Sequence, residues 1–314
     1  KIINLKSRAR NSILKIKKLI KTFEPDILFS TLPQVNIAVW LGNRLTGNKR
    51  KLVLRETSYR EAGINTNLLF HKIYRKIYND ANHVIGLSDG VTSHMIKSYG
   101  LDPSKVTRIY NPIDIESIKD KCLEPIKIHF SKRFKMVTCG RLVKLKNYPL
   151  VIKALAMLKE KGYHNFELFI MGEGPQRSQL ELLIKNYNLE DNIRLIGYQN
   201  NPYPYMKAAD LFILPSLWEG FGHVIVESMV CGTPVLATDC PYGPREILEN
   251  GKYGWLVNNN DQLAMANKLE DLYLNPNKIK EMELRLPHKF TTFSVNEITR
   301  QYEEIFRLLF RGEI

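Results

Sequence analysis

SLWEGFGHVIVESMVCGTPVLATDCPYGPREIL, residues 216–248, places two glutamates, Glu219 and Glu227, with seven residues between them. Gly220-Phe221-Gly222 follows the first glutamate, and an apolar run leads into the second. DLFILPS (210–216), just upstream, reads as a buried strand, His223–Met229 as the start of a helix and TPVLATD (233–239) as the next strand. The stretch is therefore a strand–glycine turn–helix–strand unit with carboxylates at the turn and one helical turn beyond it. Each glutamate taken singly reads first as a solvated loop or helix charge.

The same alternation extends in both directions. Upstream, KMVTCGRL (135–142) reads as a strand, Pro149–Lys161 as a helix, FELFIMGEG (166–174) as a strand, Arg177–Tyr187 as a helix and IRLIGY (193–198) as a strand. Downstream, GWLV (254–257) is a short strand, Asp261–Tyr273 a helix, and Val295–Leu309 a closing amphipathic helix. Nearer the start, PDILFST (25–31), KLVLRET (51–57), HVIGLS (83–88) and KVTRIYNPID (105–114) read as strands. Helices are expected over 11–23, Val35–Leu45, Leu68–Asn79 and Asp89–Tyr99. Strands alternating with helices predict parallel sheets covered on both faces. Residues 115–134 are charged and lack clear periodicity. The expected organisation is a domain over 1–114, a linker over 115–134, a second domain over 135–294 and a terminal helix over 295–314 able to pack back on the first domain. The chain does not begin with Met and opens on a basic segment, so a natural N-terminus is expected to be missing.

The chain has 314 residues, 44% of them hydrophobic and 25% charged, enough for a large core and more readily two domains than one. Its net charge of +14 points to an anionic partner: a phosphorylated ligand, an acidic membrane face or nucleic acid. Cys122, Cys139, Cys231 and Cys240 form no CxxC pair and have no histidine cluster near them, which speaks against zinc. Cys139 and Cys231 sit in apolar contexts as reduced core residues, in keeping with a cytoplasmic setting. No apolar stretch approaches the ~20 residues of a membrane span.

Ligands of open parallel sheets bind beyond the carboxyl ends of the strands. Four such ends in the second half carry unusual residues. Gly140-Arg141, with Lys144, Lys146 and Asn147 beyond, suits a phosphate or pyrophosphate, which Arg grips bidentately and Lys meets as a point charge. A solvated basic loop is the alternative. Met171–Pro175 (MGEGP) contains Gly172, which would let a ligand approach the backbone or would simply make a turn. Glu219-Gly220-Phe221-Gly222 opens a helix whose first amides form an anion seat. Glu227, one turn on, can accept hydrogen bonds from ribose hydroxyls. Asp239–Glu246, with two prolines and a glycine, forms a stiff loop fit to wall a pocket.

GRLVKLKNYPLVIKAL, GEGP and SLWEGFGHVIVESMVCGTPVLATD together resemble the donor domain of the glycosyltransferases of the GT-B fold, in the large retaining family 4. The resemblance extends over nearly the whole chain. It implies an α/β fold of two doubly wound Rossmann-like domains facing across a cleft, a nucleotide-sugar donor, retention at the anomeric carbon and no required metal or other cofactor. The family's paired glutamates fall on Glu219 and Glu227, and its pyrophosphate-binding Arg and Lys on Arg141 and Lys146. By that analogy Glu227 holds the ribose and Glu219 faces the donor sugar. Phe221, Gly222, His223 and Val224 would lie along sugar and phosphate, Gly140, Gly172 and Gly220 would admit the donor, and Gly197-Tyr198 would line the base pocket. Glu219, Arg141 and Lys146 are the expected catalytic residues.

CPYGPREIL, where many relatives carry a Gly-Gly segment, is similar to bacterial transferases for N-acetylgalactosamine or galactose that build surface glycans on polyprenyl diphosphate. That favours a UDP-sugar donor and a glycan or lipid-linked acceptor. Many relatives have a catalytic histidine where this chain has LRETSYRE, with Arg55, Glu56 and Thr57; His71, His83, His94 and His223 read as structural or surface residues. The family's first strand and glycine-rich acceptor loop have no counterpart. The basic helix of residues 8–23, with Leu68–Asn79, suits peripheral contact with an acidic leaflet at the inner face of the cell membrane. Competing readings are a nucleic-acid-binding protein, a UDP-sugar epimerase on the same scaffold and a non-catalytic relative. The glycines and carboxylates at strand ends speak against nucleic acid.

Overall fold

The computed structural model describes residues 8–47, 49–57, 68–132 and 134–314. It separates into two compact units, each built on a parallel sheet. The first unit holds the described residues up to Asn111 together with Ile298–Ile314; the second runs from Pro112 to Glu297.

In the first unit β1 (Ile27–Thr31), β2 (Lys51–Glu56), β3 (His83–Gly86) and β4 (Val106–Arg108) lie side by side in chain order, all parallel. Leu52 and Leu54 of β2 and Val84 of β3 pack against Tyr74, Ile77 and Tyr78 of helix Leu68–Asp80 and Val91 and Met95 of helix Asp89–Tyr99. Ser88 caps that second helix by accepting from the Val91 amide, and Gly100 ends it in a left-handed turn. The long helix Val295–Arg311 sets Tyr302 and Phe306 edge-on to Phe29 of β1, with ring centres 5.6 and 5.7 Å away. Helix Ile13–Phe23 buries Ile20 and half-buries Ile13 and Ile16. Phe23 is 54% exposed, and Leu14 is 73% exposed beside the exposed Lys18 and Lys21.

In the second unit β5 (Phe134–Cys139), β6 (Phe166–Met171), β7 (Ile193–Gly197), β8 (Leu211–Leu214), β9 (Val235–Asp239) and β10 (Trp255–Asn258) form one parallel sheet, in the order β10-β9-β8-β5-β6-β7. From β5 the chain first adds strands on one side. It then returns to place β8 on the other side of β5, so the direction of winding reverses between β5 and β8. Strands covered on both faces must be apolar along their whole length, and every residue of β6 and β8 is buried. The exception, Glu167 of β6, is matched by Arg194 at 2.6 Å and by the Ser131 amide at 2.6 Å, as a buried carboxylate requires.

Several expectations are corrected. Residues 115–134 are part of the second unit, and Ile115–Lys121 within them is a helix. Its periodicity rests on two buried residues, Ile115 and Ile118, and Asp114 caps it by accepting from the Ser117 amide at 3.1 Å. Asp239–Glu246 is not wholly a loop, since Pro244–Ile247 makes one helical turn, with proline at a position that presets the helical φ. Tyr203–Ala208, Pro276–Glu283 and Pro287–Phe290 are further helices that apolar periodicity did not reveal; each is short and has proline in its first turn. Residues 58–61, the end of LRETSYRE, lie outside the described residues.

Candidate active site

A crevice opens outside the carboxyl ends of parallel strands where the winding reverses. Here that point lies between β5 and β8, and two loops leave the sheet there. One, Gly140–Asn147, follows β5; the other, Pro215–Gly222, follows β8. The Leu217 amide donates to the Leu145 carbonyl at 2.9 Å, and the Lys146 ammonium meets Glu219 Oε1 at 2.5 Å. The loop after β10 joins them, with Asn259 Nδ2 donating to the Leu217 carbonyl at 2.9 Å.

Glu219 is held closely. Ser216 Oγ donates to the same Oε1 at 2.6 Å, and Ser216 itself is fully buried. Thr238 Oγ1 of β9 donates to the Ser216 carbonyl at 2.5 Å, fixing the residue from below. The Arg141 side chain is exposed and has no hydrogen-bond or ion-pair partner among the described residues; nor has that of Lys144. The crevice thus presents one uncommitted guanidinium, one uncommitted ammonium and one ammonium committed to a carboxylate.

The glycines permit close layering. Gly172, at φ +148°, lies so near the end of β5 that a Cβ there would fall 2.0 Å from the Gly140 carbonyl oxygen. Gly243, at φ +98°, lies against Phe221, where a Cβ would fall 1.9 Å from the carbonyl oxygen. The stiff loop after β9 therefore rests on the Gly220-Phe221-Gly222 turn, while the Phe221 ring is buried edge-on to Phe293 at 5.7 Å. Helix His223–Val230 begins on Gly222, which has no side chain to cap it, and carries no acid in its first turn. Its positive end is left to whatever anion enters the crevice.

Glu227 sits on that helix, half-buried, with no ion pair or hydrogen bond to its carboxylate among the described residues. Burial raises its pKa above the ordinary glutamate value. Its field reaches three neighbours, Cys139, Tyr203 and Cys231. Cys139, at the end of β5, is pushed up to about 11 by burial and then by Glu227, with Lys146 pulling the other way. Tyr203 is pushed up to about 12 by burial, with Glu227 again adding. Cys139 thus feels both the Glu227 and the Lys146 charge.

At the far side of the sheet, Gly197 ends β7 and the Gly172 amide donates to its carbonyl at 2.8 Å. An open groove of about 600 Å³ is lined there by Ile128, Glu173, Arg177, Arg194 and Leu195–Gly197. Tyr198 follows, 73% exposed. His223 is exposed, and Val224 and Gly220 are partly buried beside the turn. The structure brings Gly140, Lys146, Glu219 and the start of the Gly222–Glu227 segment to the reversal point. Gly172 bridges to the β7 edge, where Tyr198 stands apart from them.

Sequence reasoning missed Ser216, Thr238, Cys139 and Tyr203. The signal for Ser216 was a hydroxyl closing the apolar run DLFILPS, three residues before Glu219.

A family model described as Glycosyl transferases group 1 matches residues 123–286, and one described as Glycosyltransferase Family 4 matches residues 3–117. The chain belongs to the group 1 glycosyltransferases. This glycosyltransferase chain is 34% identical over 272 residues to the N-acetylgalactosamine-N,N'-diacetylbacillosaminyl-diphospho-undecaprenol 4-alpha-N-acetylgalactosaminyltransferase of Campylobacter jejuni, covering 85% of this chain and 72% of that protein. It is 30% identical over 273 residues to a glycosyltransferase of Methanocaldococcus jannaschii, covering 79% of this chain and 66% of that one. In fold, it matches the crystal structure of Anabaena HepE in complex with UDP with a TM-score of 0.81, at 21% identity over 93% of this chain and 81% of that chain. The two parallel-sheet α/β units are those of the GT-B fold.

Proposed function

We propose that this glycosyltransferase moves a sugar from a nucleotide sugar, a UDP-hexose or UDP-N-acetylhexosamine, to a glycan or polyprenyl-diphosphate-linked acceptor in bacterial surface polysaccharide or lipopolysaccharide assembly. The observation that carries the reading is the convergence of Arg141, Lys146, Glu219 and an uncapped helix start at the reversal point between β5 and β8. Arg141 and Lys146 hold the donor diphosphate, Glu227 accepts from the ribose and Glu219 from the sugar. The base lies toward Gly197 and Tyr198.

In this reading the bond between the anomeric carbon and the diphosphate oxygen breaks through an oxocarbenium-like transition state. Negative charge grows on the leaving diphosphate. Arg141, Lys146 and the amides at the start of helix His223–Val230 oppose that charge without needing to reorganise. They do so without a metal, and the acceptor hydroxyl attacks the face the diphosphate leaves and passes its proton to the departing diphosphate oxygen, which retains the configuration. UDP as the nucleotide is supported by the structural neighbour bound to UDP, and the lipid-linked acceptor by the name of the Campylobacter relative. No helix among the described residues is long and apolar enough to cross a membrane. The exposed Leu14, Lys18, Lys21 and Phe23 of helix Ile13–Phe23 support peripheral contact with an acidic leaflet on the cytoplasmic side.

Calorimetric titration with UDP, GDP and ADP tests the reading, beside an Arg141→Ala, Lys146→Ala double variant. Tight UDP binding that the variant loses supports it and leads to a screen of UDP-sugars and acceptors. A folded chain that binds none of the three overturns it.

A further inference from the structure

Lys146 and Ser216 share a single oxygen of Glu219. Both reach Oε1, at 2.5 and 2.6 Å, and Oε2 has no protein partner among the described residues. The Glu219 side chain is 11% exposed and that of Lys146 21%, so the pair is mostly withdrawn from water. The ammonium keeps two further N–H donors, but its charge is shared with a carboxylate, so a diphosphate that draws it away competes with the ion pair. A glutamate whose ion pair is weakened in this way needs another donor in a partly buried site.

We propose that Ser216 is a positioning residue for the donor sugar: it keeps Glu219 aimed while the diphosphate draws Lys146 off the shared oxygen and a sugar hydroxyl takes the vacated place. The inference rests on the donor-site reading above and deepens it. Three features make Ser216 suited to this part. Its side chain is fully buried, so water does not compete for its hydroxyl. Its backbone is held by Thr238 and lies two residues past the end of β8, next to the rigid sheet. Its contact with Glu219 does not involve the ligand and survives the exchange. Lys146, by contrast, sits on a loop and ends a flexible four-carbon stem, fit to swing from carboxylate to phosphate over a short distance.

The exchange makes nucleotide and sugar interdependent. UDP alone takes the ammonium and leaves Glu219 with Ser216 only. A UDP-sugar takes the ammonium and returns a hydroxyl donor. The site therefore favours the intact donor over the product nucleotide by a margin that depends on how well Glu219 is aimed.

The test compares UDP with UDP-galactose, UDP-N-acetylgalactosamine, UDP-glucose and UDP-N-acetylglucosamine by calorimetry, on wild type and on Ser216→Ala, Ser216→Thr and Glu219→Gln. Thermal melts of each variant establish folding. For the best of the four sugars, Ser216→Ala is expected to lose about tenfold of the preference over UDP, the scale of one hydrogen bond to a charged group, with UDP itself weakened by less than the UDP-sugar. Ser216→Thr, which keeps the hydroxyl, is expected to restore most of that preference. Glu219→Gln is expected to bind UDP several-fold more tightly than wild type, because Lys146 no longer leaves an ion pair, while losing the sugar preference. In a Lys146→Met background that gain in UDP affinity shrinks.

The proposal is overturned if folded Ser216→Ala weakens UDP and UDP-sugar equally, or if Glu219→Gln weakens UDP. It is also overturned if wild type binds UDP but prefers none of the four sugars. Failure of wild type to bind any nucleotide is a different result, since it removes the donor site itself.

Discussion

Both units place arginine and glutamate at the carboxyl end of a parallel strand, and they use them in opposite ways. At the end of β2, Arg55 and Glu56 are buried and turned inward. The Arg55 guanidinium reaches the Asn111 side chain. Glu56 accepts from Tyr78 at 2.6 Å and from the Thr57 amide at 2.9 Å, and Asn36 Nδ2 reaches Tyr78 at 3.2 Å. Burial, and then the Glu56 charge, push the Tyr78 hydroxyl well above its ordinary pKa, so it stays a donor. At the ends of β5 and β8, Arg141 is uncommitted, Lys146 is held by one exchangeable ion pair, and Glu227 has no partner among the described residues. The residue types match; the topology differs. The described strands of the first sheet run in simple order, whereas the second sheet reverses between β5 and β8 and leaves its strand-end groups unsatisfied.

The largest expected effect contrasts the two arginines directly. Arg141→Ala with Lys146→Ala should weaken UDP binding about a thousandfold, since two charge-assisted contacts are lost. Arg55→Ala should leave UDP binding unchanged while lowering the melting temperature. Equal losses from both, in folded proteins, would erase the distinction between an open and a closed strand end.

Next come the glycines that let the second site close-pack. Gly172→Ala and Gly243→Ala each force a Cβ against a backbone carbonyl, where no side chain can move aside. Each should cost about 2–3 kcal/mol of stability by chemical denaturation. Gly232→Ala meets no neighbouring atom and carries only the strain of its φ of +87°, so it should cost less. In the first unit, Tyr78→Phe leaves Glu56 Oε2 and Asn36 short of a partner. It should cost about 1–2 kcal/mol with no change in UDP affinity.

The same contrast decides what was legible in the sequence. The strands of the second unit are continuous apolar runs such as FELFIM and LFIL, and that pattern survives folding because both faces are covered. Arg141, Lys146, Glu219 and Glu227 stood out because charges bordering such runs are unusual. Helix Ile115–Lys121 and the short proline-led helices did not stand out. Two buried residues in seven make no period, and a proline reads as a break as readily as a start. The pairing of Lys146 with Glu219 spans 73 residues and depends on β5 and β8 becoming neighbours, a fact of strand order that no local pattern carries. Ser216 was hidden for the same reason, since its importance lies in what its hydroxyl touches.

The smallest effect is also the most diagnostic, because it separates a carboxylate kept open for a ligand from one satisfied by the protein. Burial raises the Glu227 pKa in the folded state above its unfolded value. Stability associated with this group is then fully present below the unfolded value and is lost as pH rises through the folded value, because the unfolded chain ionises more readily. Glu227→Gln removes that loss. The variant should match wild type in acid and be the more stable of the two once the pH passes the raised value, by chemical denaturation across the range. Nucleotide binding should run the other way. If ribose hydroxyls donate to the ionised carboxylate, as in the proposed donor site, wild-type affinity for UDP should fall as pH drops through that window, more steeply than the titration of the diphosphate alone requires. Glu227→Gln should keep only the diphosphate's share of the slope. A glutamate that gains stability from ionising would show the reverse stability profile, and Glu227 would then be satisfied by the protein and not kept open for a ligand.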